Sequence, residues 1–150
     1  RTFTTAAWNG SEWEFREAMH GDNNYDFASL DVHPNGDWLL LGDTEPGPQR
    51  YNTGGEVALW KSTDRGGHWQ KIRQLTSNSK YNHYYPRKPL NAHPDFFALW
   101  ADGHAREPSE SRLYFTDRAG SAVWMLPPEI AESGDLVAPL LVAPSADDSR

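Results

Sequence analysis

The sequence predicts an all-β chain built from repeated four-stranded antiparallel units, and three observations carry that expectation. Twelve Gly and eleven Pro are spread through 150 residues, which leaves no room for long helices. Leu30-Asp31-Val32-His33-Pro34 and Leu90-Asn91-Ala92-His93-Pro94 each read as a strand running into a tight turn and a second apolar strand. Their histidines stand 60 residues apart. A second pair of hairpins follows the first pair, with Thr63-Asp64-Arg65 and Thr116-Asp117-Arg118 at the turns, 53 residues apart. Two hairpins per unit make four strands at a period of about 40–50 residues or slightly more, the spacing of β-propeller blades. Roughly four to eight blades close a propeller, so this chain is expected to be a β-propeller fragment of about two to three blades, incomplete alone.

Taken in order, residues 1–20 hold a hairpin, Thr5–Trp8 and Glu12–Phe15 around Asn9-Gly10, expected as the outer half of a preceding blade. Asn9-Gly10-Ser11 also satisfies the glycosylation sequon, and the hairpin-turn reading is preferred. Residues 25–73 form the first full unit. In it Asp37–Asp43 follows the Asn35-Gly36 turn, and Glu56–Asp64 turns through Arg65-Gly66-Gly67 into His68–Ile72. Residues 84–127 form the second, with Phe97–Asp102, Arg112–Asp117 and Ala122–Leu126 as its later strands. Residues 128–150 are expected as a tail or the start of a next blade, carried by Leu136–Val142.

Composition narrows the function classes. The balance of 14 basic against 21 acidic residues gives a net charge of −7 with no basic run, which argues against a nucleic-acid partner. No stretch approaches roughly 20 consecutive apolar residues, so a membrane-spanning helix is excluded. The absence of cysteine removes disulfides, thiolate metal sites and cysteine nucleophiles together. Short metal-ligand spacings, phosphate loops, Gly-x-Ser-x-Gly elbows and dinucleotide fingerprints are also missing, so no cofactor is expected and a structural metal ion stays unassigned. The chain opens Arg1-Thr2-Phe3, without an initiator Met or an apolar signal segment, and is expected to be a processed product or an excerpt.

Ser62-Thr63-Asp64-Arg65-Gly66-Gly67-His68-Trp69 matches the pattern Ser/Thr-x-Asp-x-Gly-x-x-Trp, in which Asp and Ser tie a tight turn, Gly permits the bend and Trp packs beneath it. This is the Asp box, and the chain resembles the BNR-repeat proteins that carry it. Thr116 to Trp124 reads as a degenerate second copy. Tyr84-Tyr85-Pro86-Arg87, Trp100-Ala101-Asp102-Gly103-His104 and Ser109–Phe115 resemble, more narrowly, the propeller-type polysaccharide lyases that cleave uronate chains, ulvan lyases among them. That resemblance implies β-elimination, with a His and a Tyr as acid and base and an Arg neutralising the uronate carboxylate. It also implies a secreted, periplasmic or cell-surface location, an acidic polysaccharide or oligosaccharide as partner, and further blades to complete the propeller. The family's early-blade histidines have no counterpart here, and Leu41-Gly42-Asp43 stands where an Arg would end the second strand.

Propeller topology sorts the candidate residues by face. His33, His93 and the Asp box fall in hairpin turns at the bottom and read as structural. The top face would gather Tyr25, Asp26, His83, Tyr84, Tyr85 and Arg87 from strand starts, with Asp43, Glu45, Asp102, His104 and Arg106 from strand ends. Tyr85, His104 and Arg87 are the expected catalytic set: Tyr85 or His104 carries the proton and Arg87 binds the carboxylate. Tyr25, His83, Tyr84, Asp102 and Arg106 are expected to bind substrate. Tyr84 and Tyr85 alternate along a strand, so one of them is expected in the core. Two other readings stand beside elimination: a sialidase-like glycoside hydrolase, which also carries Asp boxes, and a non-catalytic propeller whose aromatics stack on sugars.

Overall fold

A computed structural model describes residues 1–21, 28–128 and 138–142. Among them the chain is all-β with no helix, its 11 strands lying in three antiparallel sheets. Strands β1 (Thr2–Trp8) and β2 (Trp13–His20) form a two-stranded hairpin closed by Asn9-Gly10. Gly10 has φ 109°, and Asn9 Oδ1 accepts the main-chain N–H groups of Ser11 and Glu12, so the turn is tied by the Asn that initiates it.

The second sheet runs in sequence order: β3 (Ser29–Val32), β4 (Trp38–Glu45), β5 (Glu56–Ser62) and β6 (Gln70–Gln74). β4 is buried along nearly its whole length, which is why Trp38–Leu41 reads as a continuous apolar run and not as an alternation. The third sheet runs β7 (Asn82–Arg87), β8 (Ala98–Gly103), β9 (Leu113–Thr116), β10 (Val123–Met125), with β11 (Leu140–Val142) added outside β10. Leu140–Val142 therefore completes the edge of the same sheet, antiparallel to Val123–Met125.

The two larger sheets share one core. Leu39, Leu41, Val57, Leu59 and Leu75 from the first meet Phe97, Ala98, Trp100, Tyr114 and Val123 from the second. Trp100, 1% exposed, stacks on Tyr114 at 6.1 Å. Burying a side chain of that size contributes about 1.5–3 kcal/mol before ordering costs. Polar contacts clamp the sheets as well: Ser29 Oγ donates to Pro86 O at 2.9 Å and accepts the Lys88 N–H at 3.0 Å.

One expected strand moves. Leu90-Asn91-Ala92 lies in the loop between β7 and β8, not in a strand; Leu90 is 96% exposed and Asn91 is left-handed at φ 53°. The first strand of this sheet lies upstream, starting at Asn82. Pro89 bars an extension of β7 into the loop, because it has no N–H for the ladder.

Candidate functional site

The hairpin register fixes the ends of the third sheet. Asn82 pairs with Gly103, His83 with Asp102, Tyr84 with Ala101 and Arg87 with Leu99. Arg87 thus closes the turn end of β7, whereas His104 follows Gly103 at the opposite end. Leu99 and Gly103 are four residues apart, on the order of 13 Å along the strand at ~3.3 Å per residue. The expected meeting of Arg87 with His104 does not occur, because the register sets Arg87 opposite Leu99 and Gly103 opposite Asn82.

A different arrangement joins the predicted residues. The ladder is interrupted between Tyr84 and Arg87, and Tyr85 adopts φ 55°. Left-handed backbone in a bulky residue is sparsely populated and costs about 1–3 kcal/mol. Its effect here is to cancel the alternation that would send two successive tyrosines to opposite faces. Neither ring is sunk in the core. They meet edge to face at 5.5 Å and 87° instead. The Arg87 guanidinium lies 5.6 Å from the Tyr85 ring centroid, and Tyr85 is 48% exposed. At the other end the Tyr84 hydroxyl sits beside Gly103, 3.0 Å from where a Cβ would stand. Arg87, Tyr85, Tyr84 and the Gly103-His104 corner thus form one continuous track along β7, the edge strand of its sheet.

His104 is half-buried. Its N–H donates to Ser109 Oγ at 2.8 Å, and its Nδ1 accepts the Arg106 N–H at 3.3 Å. With Nδ1 accepting, the neutral ring presents Nε2–H. Arg106 contributes its main chain to this corner, and its side chain is exposed.

Two other predicted residues belong to the scaffold beneath the track. His83 is 3% exposed and lies against Tyr114 at 4.9 Å. Its Nδ1 accepts the Trp100 Nε1–H at 3.1 Å, so its Nε2 carries the proton and donates to Ser79 Oγ at 2.9 Å. Ser79 in turn donates to Glu56 Oε2 at 2.8 Å, and that carboxylate also accepts from Thr76 Oγ1 at 2.6 Å. Burial drives the His83 pKa down to about 4 against an opposing pull from Asp102, so the imidazole is neutral near pH 7. Asp102 is 8% exposed and accepts the Arg112 N–H at 2.7 Å and the Tyr114 hydroxyl at 2.9 Å. Burial, then the Asp102 charge, holds that phenol protonated far above its ordinary range.

Asp43 is fully buried, and Glu45 pairs with Lys71 at 3.2 Å. Tyr25 and Asp26 lie outside the described residues. Among the described residues no three His, Asp or Glu side chains are grouped to hold a metal ion.

Sequence reasoning passed over Asn82, which anchors this end of the molecule. It is 1% exposed; its Oδ1 accepts the Gln49 N–H at 2.9 Å, and its Nδ2 is shared among the carbonyls of Gln49, Thr53 and Gly54. Gly54 is at φ 83° against the His83 carbonyl, where a Cβ would collide. These bonds draw the 46–55 loop onto the start of β7. The loop brings Arg50 over Tyr51 at 5.8 Å, while Lys80 stands 4.9 Å from the Tyr81 ring. An isolated Asn at the start of a strand carries no signal in one sequence.

No family model matches the chain, and no curated protein or solved structure compared with it gives a match.

Proposed function

We propose that the chain is part of an Asp-box β-propeller of a secreted or cell-surface protein and that it binds an acidic, uronate-containing glycan along β7. The observation that carries this reading is the Arg87–Tyr85–Tyr84 track, held together by a left-handed tyrosine. Backbone strain of this kind persists where the side-chain arrangement it creates is used. Two tyrosine rings offer stacking faces for sugar rings, and a guanidinium offers a paired-donor contact to a carboxylate. The cation–aromatic pairs Arg50–Tyr51 and Lys80–Tyr81 place the same chemistry near the start of β7. The propeller reading is supported by two antiparallel sheets whose strands follow sequence order and whose apolar side chains share one core.

Binding is favoured over catalysis because Arg87 and His104 stand at opposite ends of β7, too far apart to serve one sugar unit. An elimination reading keeps one specific support, the stacking of Arg87 on Tyr85, in which Tyr85 would take the proton beside a carboxylate neutralised by Arg87. Titration with an oligoglucuronate and with a neutral oligosaccharide of equal length tests the proposal, with ultraviolet absorbance followed throughout. Preferential binding of the acidic chain with flat absorbance supports a binder. Rising absorbance from an unsaturated uronate supports elimination, and equal affinity for both chains contradicts the acidic-glycan reading.

A further inference from the structure

The end of the two sheets that carries the β3–β4 and β9–β10 turns holds a cavity of about 240 Å³ lined by His33, Asn35, Asp37, Leu39, Lys61 and Arg118. We propose that this cavity is a second binding site, taking one oxyanion-bearing group such as a uronate carboxylate or a sulfate between Lys61 and Arg118. It lies at the turn end of β7, where Lys88, the residue after Arg87, reaches Asp31, and Arg87 itself is not among its lining residues.

The walls come from both sheets. Lys61 lies on β5, and Arg118 lies in the β9–β10 turn, where its N–H donates to Pro94 O at 2.7 Å. Lys61 Nζ meets Asp37 Oδ2 at 2.8 Å, and Arg118 Nη2 meets Asp31 Oδ2 at 3.0 Å. Asp31 also holds Lys88 Nζ at 2.9 Å. Three cations therefore face two carboxylates, and the excess is positive in a protein whose net charge is −7. Local fields of this kind concentrate an anion despite the overall sign.

The donors are preset. Arg118 spends one nitrogen on Asp31 and rests 5.5 Å from the Phe97 ring, and among the described residues no other side chain engages the rest of its fork. Lys61 likewise has donors to spare beyond Asp37. Hydrogen bonds within the 33–37 turn hold the lining side chains: His33 Nδ1 lies 2.9 Å from Asn35 Oδ1, which accepts the Asp37 N–H at 2.9 Å, and Asn35 Nδ2 reaches Asp37 Oδ2 at 3.3 Å. Lys61 keeps the Asp37 carboxyl ionised, leaving it ready to accept a hydroxyl. Leu39, 8% exposed, supplies an apolar wall that sharpens the charge contacts. The volume lies below the ~300–1,000 Å³ of sites for drug-sized ligands, which suits a single sugar unit or a bare oxyanion.

The test is a titration of the full chain with glucuronate, inorganic sulfate, inorganic phosphate and glucose, read by NMR at the Asn35 side-chain amide and the Arg118 Nε–H and by calorimetry. Glucuronate or the inorganic ions should shift both resonances, and glucose should leave them unmoved. Lys61→Gln and Arg118→Gln should each weaken the effective ligand at least ten-fold. Glucuronate outbinding sulfate and phosphate assigns the site to an acidic sugar; parity among them assigns it to the oxyanion alone. Should Arg118→Gln loosen the Asp31 bridge and the fold with it, Lys61→Gln decides, since Lys61 takes no part in that bridge. Silence from all three anions, or an affinity unmoved by Lys61→Gln, overturns the proposal.

Discussion

Asp64 and Asp117 play the same part in hairpin turns of two different sheets. Each accepts the main-chain N–H of the residue four positions on, His68 at 2.8 Å and Ser121 at 3.2 Å, and each also binds that residue's side chain, at 2.6 Å in both cases. The second turn lacks the spacing of the full Asp-box pattern, yet its aspartate does the same work. Hydrogen bonds from His68 and then Ser62 hold the Asp64 carboxyl far below its ordinary range. At Asp117 burial pushes upward, and the bonds from Ser121, Ala119 and Ala122 outweigh it and lower the pKa.

Asp117→Ala should therefore destabilise the protein by about 0.5–2 kcal/mol, as loss of a capping side chain does elsewhere. Asp64→Ala should lower the melting temperature in the same sense. Asp64 belongs neither to the β7 track nor to the cavity lining, so oligoglucuronate affinity should hold in Asp64→Ala. Calorimetric melting and binding on the same samples check this; affinity that collapses while melting stays put would make the aspartate turn part of the binding site.

His83 sets a pH dependence of stability. Its pKa is about 4 in the folded chain against an ordinary 6.5, so below pH 6.5 the unfolded chain takes up a proton that the folded chain refuses. Stability from this group is complete above about pH 6.5 and is lost as pH falls toward 4, by about 3 kcal/mol over the full interval. Urea midpoints from pH 7.5 to 4 should decline in the natural protein and decline less steeply in His83→Gln. Parallel slopes would mean the imidazole is not the group responsible.

Tyr85→Gly removes a side chain from a left-handed position. It should hold or raise stability, by up to about 1 kcal/mol, because glycine adopts φ 55° without the Cβ penalty. Glycan affinity should fall at the same time. A large loss of stability would show that the Tyr85 ring supports the fold.

The hairpins were legible because their signals are local: Asn9-Gly10, Asn35-Gly36 and the Ser62–Trp69 box each fix a turn within a few residues. Gly66 illustrates the box, since at φ 82° any Cβ would press against the Trp38 ring, 2.8 Å away. The repeat misled at Leu90-Asn91-Ala92, where a match in letters to Leu30–Val32 hid the effect of Pro89. The candidate site was legible in residue types and not in geometry. Tyr84, Tyr85 and Arg87 do assemble, but through a bulge that strand alternation forbids one to expect. The sequence alone places His83 and Asp102 at the surface, because nothing in their neighbours announces that Trp100 and Tyr114 satisfy them in the core.

Arg87, stacked on Tyr85, is the residue we propose to read the carboxylate of an acidic glycan. The most direct measurement compares Arg87→Ala with the natural protein for an oligoglucuronate and for its neutral counterpart of equal length. Loss of a charge-assisted contact should cost about 1.5–3 kcal/mol, on the order of ten- to a hundred-fold, for the acidic chain alone. The neutral chain, which never makes the contact, should bind both proteins alike. An equal loss for the two ligands, or none for the acidic one, would mean that Arg87 does not bind the carboxylate.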